Sequence, residues 1–372
     1  MGNECKSLCK ANMEEKNTIN LQRAVMDEEK ENKFKDSLLS ESKENVSVNQ
    51  RKTYNEDDVK QIIKIQSAYR GQIDRFLVLA KDLGITEFSK QSCLDQHKPQ
   101  NVKRVELNRF FLSNELKKVN KKLGVFKFKN DESPIEDYPW TGPVQINEDI
   151  YVGQFKDGKR HGRGKQIFEG GGFYIGEWEN DKAHGFGRFI HDEKDSYEGY
   201  WKNNMANGKG TYYQATGAIF TGFWSNDKQE GFGSETWADG TKYEGEYENG
   251  LKHGKGRFHW KDGTIYVGEF FRNKINGKGK YSWPDFKSYE GEWVDNKMHG
   301  KGELCLADGS KYIGEYFEDK RKGYGEFFWP DGRIYKGQWN NGKQDGIGLV
   351  ITKNGVERKA EFVDGNMIRW IN

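Results

Sequence analysis

Residues 243–265 read Tyr243-Glu-Gly245-Glu-Tyr247-Glu-Asn249-Gly250-Leu-Lys-His253-Gly254-Lys-Gly256-Arg-Phe258-His-Trp260-Lys-Asp262-Gly263-Thr-Ile265, and at Tyr266 the pattern starts again. Tyr243, Gly245 and Tyr247 alternate with charged residues, the period of two expected of a strand packed on one face. Gly250 comes seven residues after the leading aromatic and is a residue type that accepts a left-handed turn, so the chain bends there. Gly254-Lys-Gly256 and the aromatic run Phe258-His-Trp260 then read as a returning strand, and Asp262-Gly263 is a turn dipeptide that closes the link to the next unit. The stretch is one β-hairpin.

Working outward, the leading aromatic followed two residues later by glycine recurs at Tyr151, Tyr174, Tyr197, Phe220, Tyr243, Tyr266, Tyr289, Tyr312 and Tyr335, always 23 residues apart. A degenerate tenth unit starts at Arg358, where Ala360 replaces the glycine and Phe362 keeps the next aromatic, as the end of a repeat array often does. Position seven of the ten units is always Gly, Asn or Asp, from Gly158 and Asp181 to Gly342 and Gly365. Tyr174-Ile-Gly176-Glu-Trp178 followed by His184-Gly-Phe-Gly187 resembles the MORN repeat (membrane occupation and recognition nexus), and the resemblance covers residues 147–372. It implies a mainly β chain, an elongated single-layer antiparallel sheet of about ten consecutive 23-residue hairpins joined edge to edge. A lone hairpin is marginal, so the units must stack to share their aromatics. At about 4.8 Å per strand, ten hairpins span on the order of 95 Å.

Chemistry is not expected of such an array. His161, His184, His253 and His299 hold one repeat position, but equivalent residues in adjacent hairpins are about 10 Å apart, too far to share a metal. No Gly-x-Gly pair opens a helix after a strand or carries a Gly-Lys-Ser/Thr ending, so none is a phosphate loop. Some proteins with this repeat carry a lipid kinase or another catalytic domain after the array. The sequence ends at Asn372 and no nucleophile, base and orienting group converge at a non-repeated position, so no enzyme, metal or cofactor is expected. The array offers instead a ladder of rings: Tyr151, Tyr174, Trp178, Tyr197, Trp201, Phe220, Trp224, Tyr243, Tyr247, Tyr266, Phe270, Tyr289, Trp293, Tyr312, Tyr316, Tyr335 and Trp339. Much of it is expected to be core. A one-layer sheet has too little cover to bury it all, so the uncovered rungs are expected to hold a partner.

The remainder of the 372 residues obeys different rules. The 11 tryptophans all lie from Trp140 onward, and the 45 glycines concentrate in the array. Residues 1–55 are rich in Lys, Glu, Asn and Ser, too polar to offset chain entropy, and are expected to be a disordered tail. Residues 56–83 form an amphipathic segment with Ile62, Ile65, Tyr69, Ile73 and Phe76 at helical spacing. Within it Ile65-Gln66-Ser-Ala-Tyr-Arg70-Gly71-Gln-Ile-Asp-Arg75 resembles a complete IQ motif, the helical ligand of calmodulin and related EF-hand light chains. In that reading Ile65 anchors in a groove, Gln66 bonds backbone at its rim, Gly71 permits close approach, and Arg70 and Arg75 meet an acidic partner. Residues 84–146 form a basic helical linker and lead-in. Its stretch 98–129 carries an apolar stripe that suits an anionic membrane, an acidic protein, the other lobe of the EF-hand partner, or the aromatic face of the first hairpins. Gly2, with Cys5 and Cys9 nearby, resembles an acylation start, although Lys6 stands where Ser or Thr is expected.

Composition narrows the function. A net charge of +2 removes the global basic field of a dedicated nucleic-acid binder, and nucleic acid is not an expected partner. The four cysteines show no CxxC spacing, so neither a disulfide framework nor a zinc module is suggested and a reducing, cytoplasmic setting fits. The expected function is a non-enzymatic scaffold at the cytoskeleton or cilium, its array holding a cytoskeletal, ciliary or membrane-associated partner while the IQ segment recruits calmodulin or a relative. A peripheral membrane protein that reads anionic phospholipid is the alternative, and a regulatory subunit of a separate enzyme a further one.

Overall fold

The computed structural model of the chain describes residues 112–129, 138 and 140–371. The acylation residues Gly2, Cys5 and Cys9 and the IQ motif Ile65–Arg75 lie outside the described residues. Twenty-one strands, from β1 (Trp140–Ile146) and β2 (Asp149–Lys156) to β21 (Asn366–Ile371), form one antiparallel sheet in which every strand pairs with its sequence neighbours. The sheet starts at Trp140 rather than at 147. β1 is a single strand whose one glycine, Gly142, is out of register with the repeat, Thr141 standing opposite Gly153, so the 23-residue pattern cannot reveal it.

Each hairpin turns on two left-handed residues, positions six and seven of the unit, as in Asn203 and Asn204 (φ 53° and 71°) or Asp295 and Asn296 (φ 50° and 68°). This is the two-residue turn whose twist matches that of the strands. Where position seven is Asn or Asp, its side chain also accepts from a backbone amide of the preceding unit: Asn204 Oδ1 from Ala183 N (2.7 Å), Asn296 Oδ1 from Ile275 N (2.7 Å), Asp319 Oδ1 from Met298 N (2.8 Å). The residue that shapes one turn thus fastens it to its neighbour. Between units, Trp237 N donates to Thr241 O and Gly240 N to Trp237 O, with Gly240 alone left-handed (φ 88°). That is the three-residue connection ending in a glycine bulge.

The two glycines of Gly-x-Gly do different work. The first is left-handed in all nine units, Gly254 at φ 58° and Gly300 at φ 53°, and marks a bulge after which the register of β10 (Lys242–Glu248) on β11 (Leu251–His259) shifts. The side chain at position three caps that bulge: Gln154 Oε1 accepts from Arg163 N (2.7 Å) and Glu246 Oε1 from Lys255 N (3.2 Å). The second glycine and the glycine at position two form a bare platform on which the leading tyrosine lies flat. A Cβ on Gly302 would come within 2.5 Å of the Tyr289 ring. The tyrosine hydroxyl donates past the platform to the carbonyl of position three, as Tyr243 to Glu246 O (3.0 Å) and Tyr289 to Glu292 O (3.1 Å).

The one helix among the described residues, α1 (Asn114–Leu123), starts where Ser113 accepts from Leu116 N, and Gly124 (φ 79°) follows its last turn. Leu116 and Phe126 are buried with Val152, Ile167, Phe173, Ile175, Phe186 and Ile190. These residues alternate with the ladder along their strands, so α1 covers the first hairpins on the face opposite the ladder, not on the aromatic face. The buried Arg188 fastens it: Nη1 donates to Asn120 Oδ1 (3.1 Å) and Gly124 O (2.7 Å), Nη2 to Leu123 O (3.3 Å), and Nε to Glu198 Oε2 (2.6 Å). A cation among the last carbonyls of a helix meets the negative end of its dipole.

A half-open aromatic strip beside the buried ladder

The ring at position four of each unit stands edge-on between two leading rings, its own and that of the unit before. Trp178 lies 5.0 Å from Tyr174 and 5.4 Å from Tyr151, and Trp224 lies 5.2 Å from Phe220 and 5.3 Å from Tyr197. The zigzag continues without a gap through Tyr247, Phe270, Trp293, Tyr316 and Trp339 to Phe362. Perpendicular pairs at this spacing bring the positive edge of one ring to the negative face of the next. Five of the tryptophans anchor further by donating Nε1 to the second platform glycine of the preceding unit, among them Trp201 to Gly187 O and Trp339 to Gly325 O, both 3.1 Å.

This packing corrects the expectation that the ladder leaves rungs open to a partner. Of the seventeen rings from Tyr151 to Trp339, none is more than 6% exposed. The bare glycine platform lets each leading ring lie down on the sheet, and the position-four ring of the next unit covers it. Burial holds the hydroxyls of Tyr243, Tyr266, Tyr289 and Tyr312 well above the usual phenol range, and that of Tyr335 is pushed up to about 12.

The open rings lie beside the ladder, at the end of the returning strand. Trp237, Phe258, Trp260, Tyr281 and Trp283 are half-buried against it and follow one another at 5.6, 4.4, 5.3 and 4.5 Å. The outermost position of this row holds Phe168, His191 and Gln214 in the units before the strip and Leu306, Trp329 and Thr352 in those after it, so the uninterrupted run of tryptophans lies in the middle of the array. Cations border it: Lys252 Nζ sits 4.8 Å from the Trp237 ring centre and Lys287 Nζ 4.3 Å from that of Trp283. At the end of the strip Phe286 occupies the left-handed turn position (φ 67°) that most inter-unit turns give to glycine, and it is 92% exposed. A left-handed conformation costs a non-glycine residue about 1–2 kcal/mol. Among the described residues the ring is left almost wholly in water, so its packing offsets little of that cost. The sequence shows the run Phe258-His-Trp260, but a returning strand and a binding strip read alike there. The misplaced phenylalanine at a Gly-rich turn position was the legible signal.

The remaining candidates fall elsewhere. Two of the four repeated histidines stand beside carboxylates of their own hairpins, His184 Nδ1 at 3.2 Å from Glu179 Oε2 and His253 Nδ1 at 3.2 Å from Glu248 Oε2, while His161 and His299 face the rings of Tyr138 and Phe317 at 5.0 and 5.1 Å. The apolar side of α1 is committed to the sheet, so only its polar side, with the exposed Lys121 and Lys122, faces out.

Among solved structures, the TCP10 domain of Danio rerio CPAP in complex with a peptide of STIL is similar at 12% identity and a TM-score of 0.36, covering 60% of this chain and 98% of that one. The SAS-4 TCP domain of Drosophila melanogaster, in complex with a proline-rich motif of Ana2, is similar at 13% identity and a TM-score of 0.27, covering 41% and 84%. No curated protein matches the sequence. The family model described as MORN repeat matches nine successive segments, 151–173, 174–192, 197–219, 220–242, 243–265, 266–287, 289–311, 312–332 and 335–356. Those segments are the hairpins whose leading aromatic rings lie on paired glycines, and the chain belongs to the MORN-repeat family.

Proposed function

We propose that this chain is a non-enzymatic scaffold. MORN repeats suggest a scaffold or a protein- or membrane-binding role. In our reading the strip from Trp237 to Trp283 holds a segment of a cytoskeletal or ciliary protein, or of a membrane-associated one. Residues 56–83 recruit calmodulin or a related EF-hand protein. The observation that carries the array's part is Phe286, an apolar ring displayed in strained backbone at the end of a row of half-open rings. Strain kept at an exposed site points to a use outside the fold. Replacing Phe286 by Gly separates the two demands, because it relieves the turn and removes the ring. The expected result is an array as stable as the parent or more so, by up to about 1 kcal/mol, with weaker labelling of its neighbours in a proximity-labelling comparison of the intact chains. Unchanged labelling for both Phe286→Gly and Trp260→Ala would move the partner surface elsewhere.

The EF-hand part is tested by calorimetry of the full chain with calmodulin, with and without calcium. Association that Ile65→Asp abolishes supports it, and no association in either state, in the parent and in a chain whose far sheet face carries Ile347→Asp, removes it. A reading as a ligand of anionic phospholipid draws on the outward lysines of α1. Because the helix has spent its apolar side on the sheet, such binding is electrostatic, and it should vanish from anionic vesicles as salt is raised.

A further inference from the structure

The face of the sheet opposite the ladder is most apolar at its two ends and mixed between them, where Ile219, Phe232 and Val267 stand exposed among polar residues at the same repeat positions. α1 rests on Val152, Ile167, Phe173, Ile175, Phe186 and Ile190. Seven units on, 161 residues later, the same six repeat positions are Ile313, Phe328, Ile334, Lys336, Ile347 and Ile351. Arg188, which holds the carbonyls at the end of α1, is answered there by Leu349. Three units from the start the same positions read Thr221, Thr236, Lys242, Glu244, Lys255 and His259, so the sheet itself does not need apolar residues on this face. At the far end Ile313 and Ile347 are 39% and 58% exposed, with Tyr324 beside them at 48%. The array repeats five of the six apolar positions of a helix footprint, with Lys336 paired to Glu326 (2.9 Å) at the sixth, and no helix among the described residues lies on the second copy.

We propose that residues 59–83 of this same chain dock on this second footprint as an amphipathic helix, through the stripe of Ile62, Ile65, Tyr69, Ile73 and Phe76. Chain length permits it. Residues 84–111 separate the segment from the start of the described chain at Leu112; with 84–97 extended at ~3.3 Å each and 98–111 helical at ~1.5 Å each they reach about 67 Å, which matches the span of about 67 Å of seven hairpins, fourteen strand spacings. The far site suits a helix that continues through it. With Leu349 in place of Arg188 no cation waits for terminal carbonyls, and an apolar rung takes its place. Docking would hide Ile65, the residue on which EF-hand recruitment depends, yet the inference does not rest on that recruitment, since it concerns the chain alone.

The test places a photo-crosslinking phenylalanine analogue at Ile347 in the full chain, without any partner protein. The expected product has the mass of one chain and carries its crosslink within residues 59–83, and Ile65→Asp in the same chain lowers its yield at least tenfold. A product of twice the mass gives the footprint to a second copy, a crosslink elsewhere in the chain gives it to another segment, and no product leaves the face bare. Each of these three outcomes overturns the proposal. Position 347 is exposed, so the melting curve of the substituted chain should match the parent, and a second probe at Ile313 must report the same segment. Failure of this test leaves calmodulin binding, measured by calorimetry, untouched.

Discussion

Replacing Gly302 by alanine isolates what the second glycine of the repeat does. Gly302 is not left-handed, so alanine can adopt its backbone conformation without strain. The three atoms nearest an added Cβ all belong to the Tyr289 ring, with Cε2 and Cζ at 2.5 Å and the hydroxyl closer still. That ring cannot step aside. Its hydroxyl is bonded to Glu292 O, and Trp293 and Tyr316 stand edge-on at 5.0 and 5.1 Å. Forcing a methyl into such a core costs about 1–3 kcal/mol, and the displaced hydroxyl gives up a hydrogen bond of about 1 kcal/mol, for a total of about 2–4 kcal/mol. Gly300, two residues earlier, is the control: it is left-handed (φ 53°) and its Cβ would meet Glu292, so alanine there loses its stability through the backbone and the bulge cap. A repeat array opens locally, so the readout is native-state hydrogen exchange of the amides around Glu303 rather than one melting temperature. In a chain already carrying Tyr289→Ala, Gly302→Ala should cost almost nothing, whereas Gly300→Ala should cost what it did before. Additive losses for Gly302 and Tyr289 would refute the idea that glycine serves as the seat of the ring.

Trp224→Ala, in the interior of the ladder with rings on both sides and a bond to Gly210 O, should cost about 3–5 kcal/mol. Phe362→Ala, whose ladder partner is Tyr335 alone, should cost clearly less in urea titration. Asn296→Gly should lose about 0.5–1.5 kcal/mol with the bond to Ile275 N, and Asn296→Ala more, because alanine is also strained at φ 68°; hydrogen exchange at Ile275 reads both. At alkaline pH the ladder tyrosines, held above their unfolded value near 10 by burial, bind protons more tightly folded than unfolded. Their contribution is therefore complete below pH 10 and lost as pH rises through the folded values. Tyrosinate absorbance should appear together with unfolding, and an ordinary titration of these phenols in an intact sheet would contradict their burial.

The spacing of Tyr151 to Tyr335 made the sheet legible, because one hairpin repeated without insertion can only be stacked. Less was legible wherever one residue type serves two ends. Both glycines of Gly-x-Gly read as hairpin geometry, but Gly300 supplies a left-handed bulge and Gly302 an empty seat, a difference of backbone angle that composition does not carry. Glu246 reads as the polar side of an alternating strand, while its carboxylate caps the bulge at Lys255 N. The ladder's burial was hidden for the same reason: alternation tells which face a ring shares, not that it lies flat, and a flat ring needs far less cover than an upright one. This accounts for where an exposed surface can form. Repeat positions that every unit needs for its seat, turn or cap are closed to specialisation. A partner surface must use positions on which the hairpin makes no demand: the end of the returning strand, the turn where Phe286 replaces glycine, and the face opposite the ladder. There units with the same backbone differ most in chemistry, Trp260 against Gln214 at one position and Ile347 against Lys255 at another. Variation between units at a fixed repeat position, more than the repeat itself, is what separates the recognition surface from the scaffold.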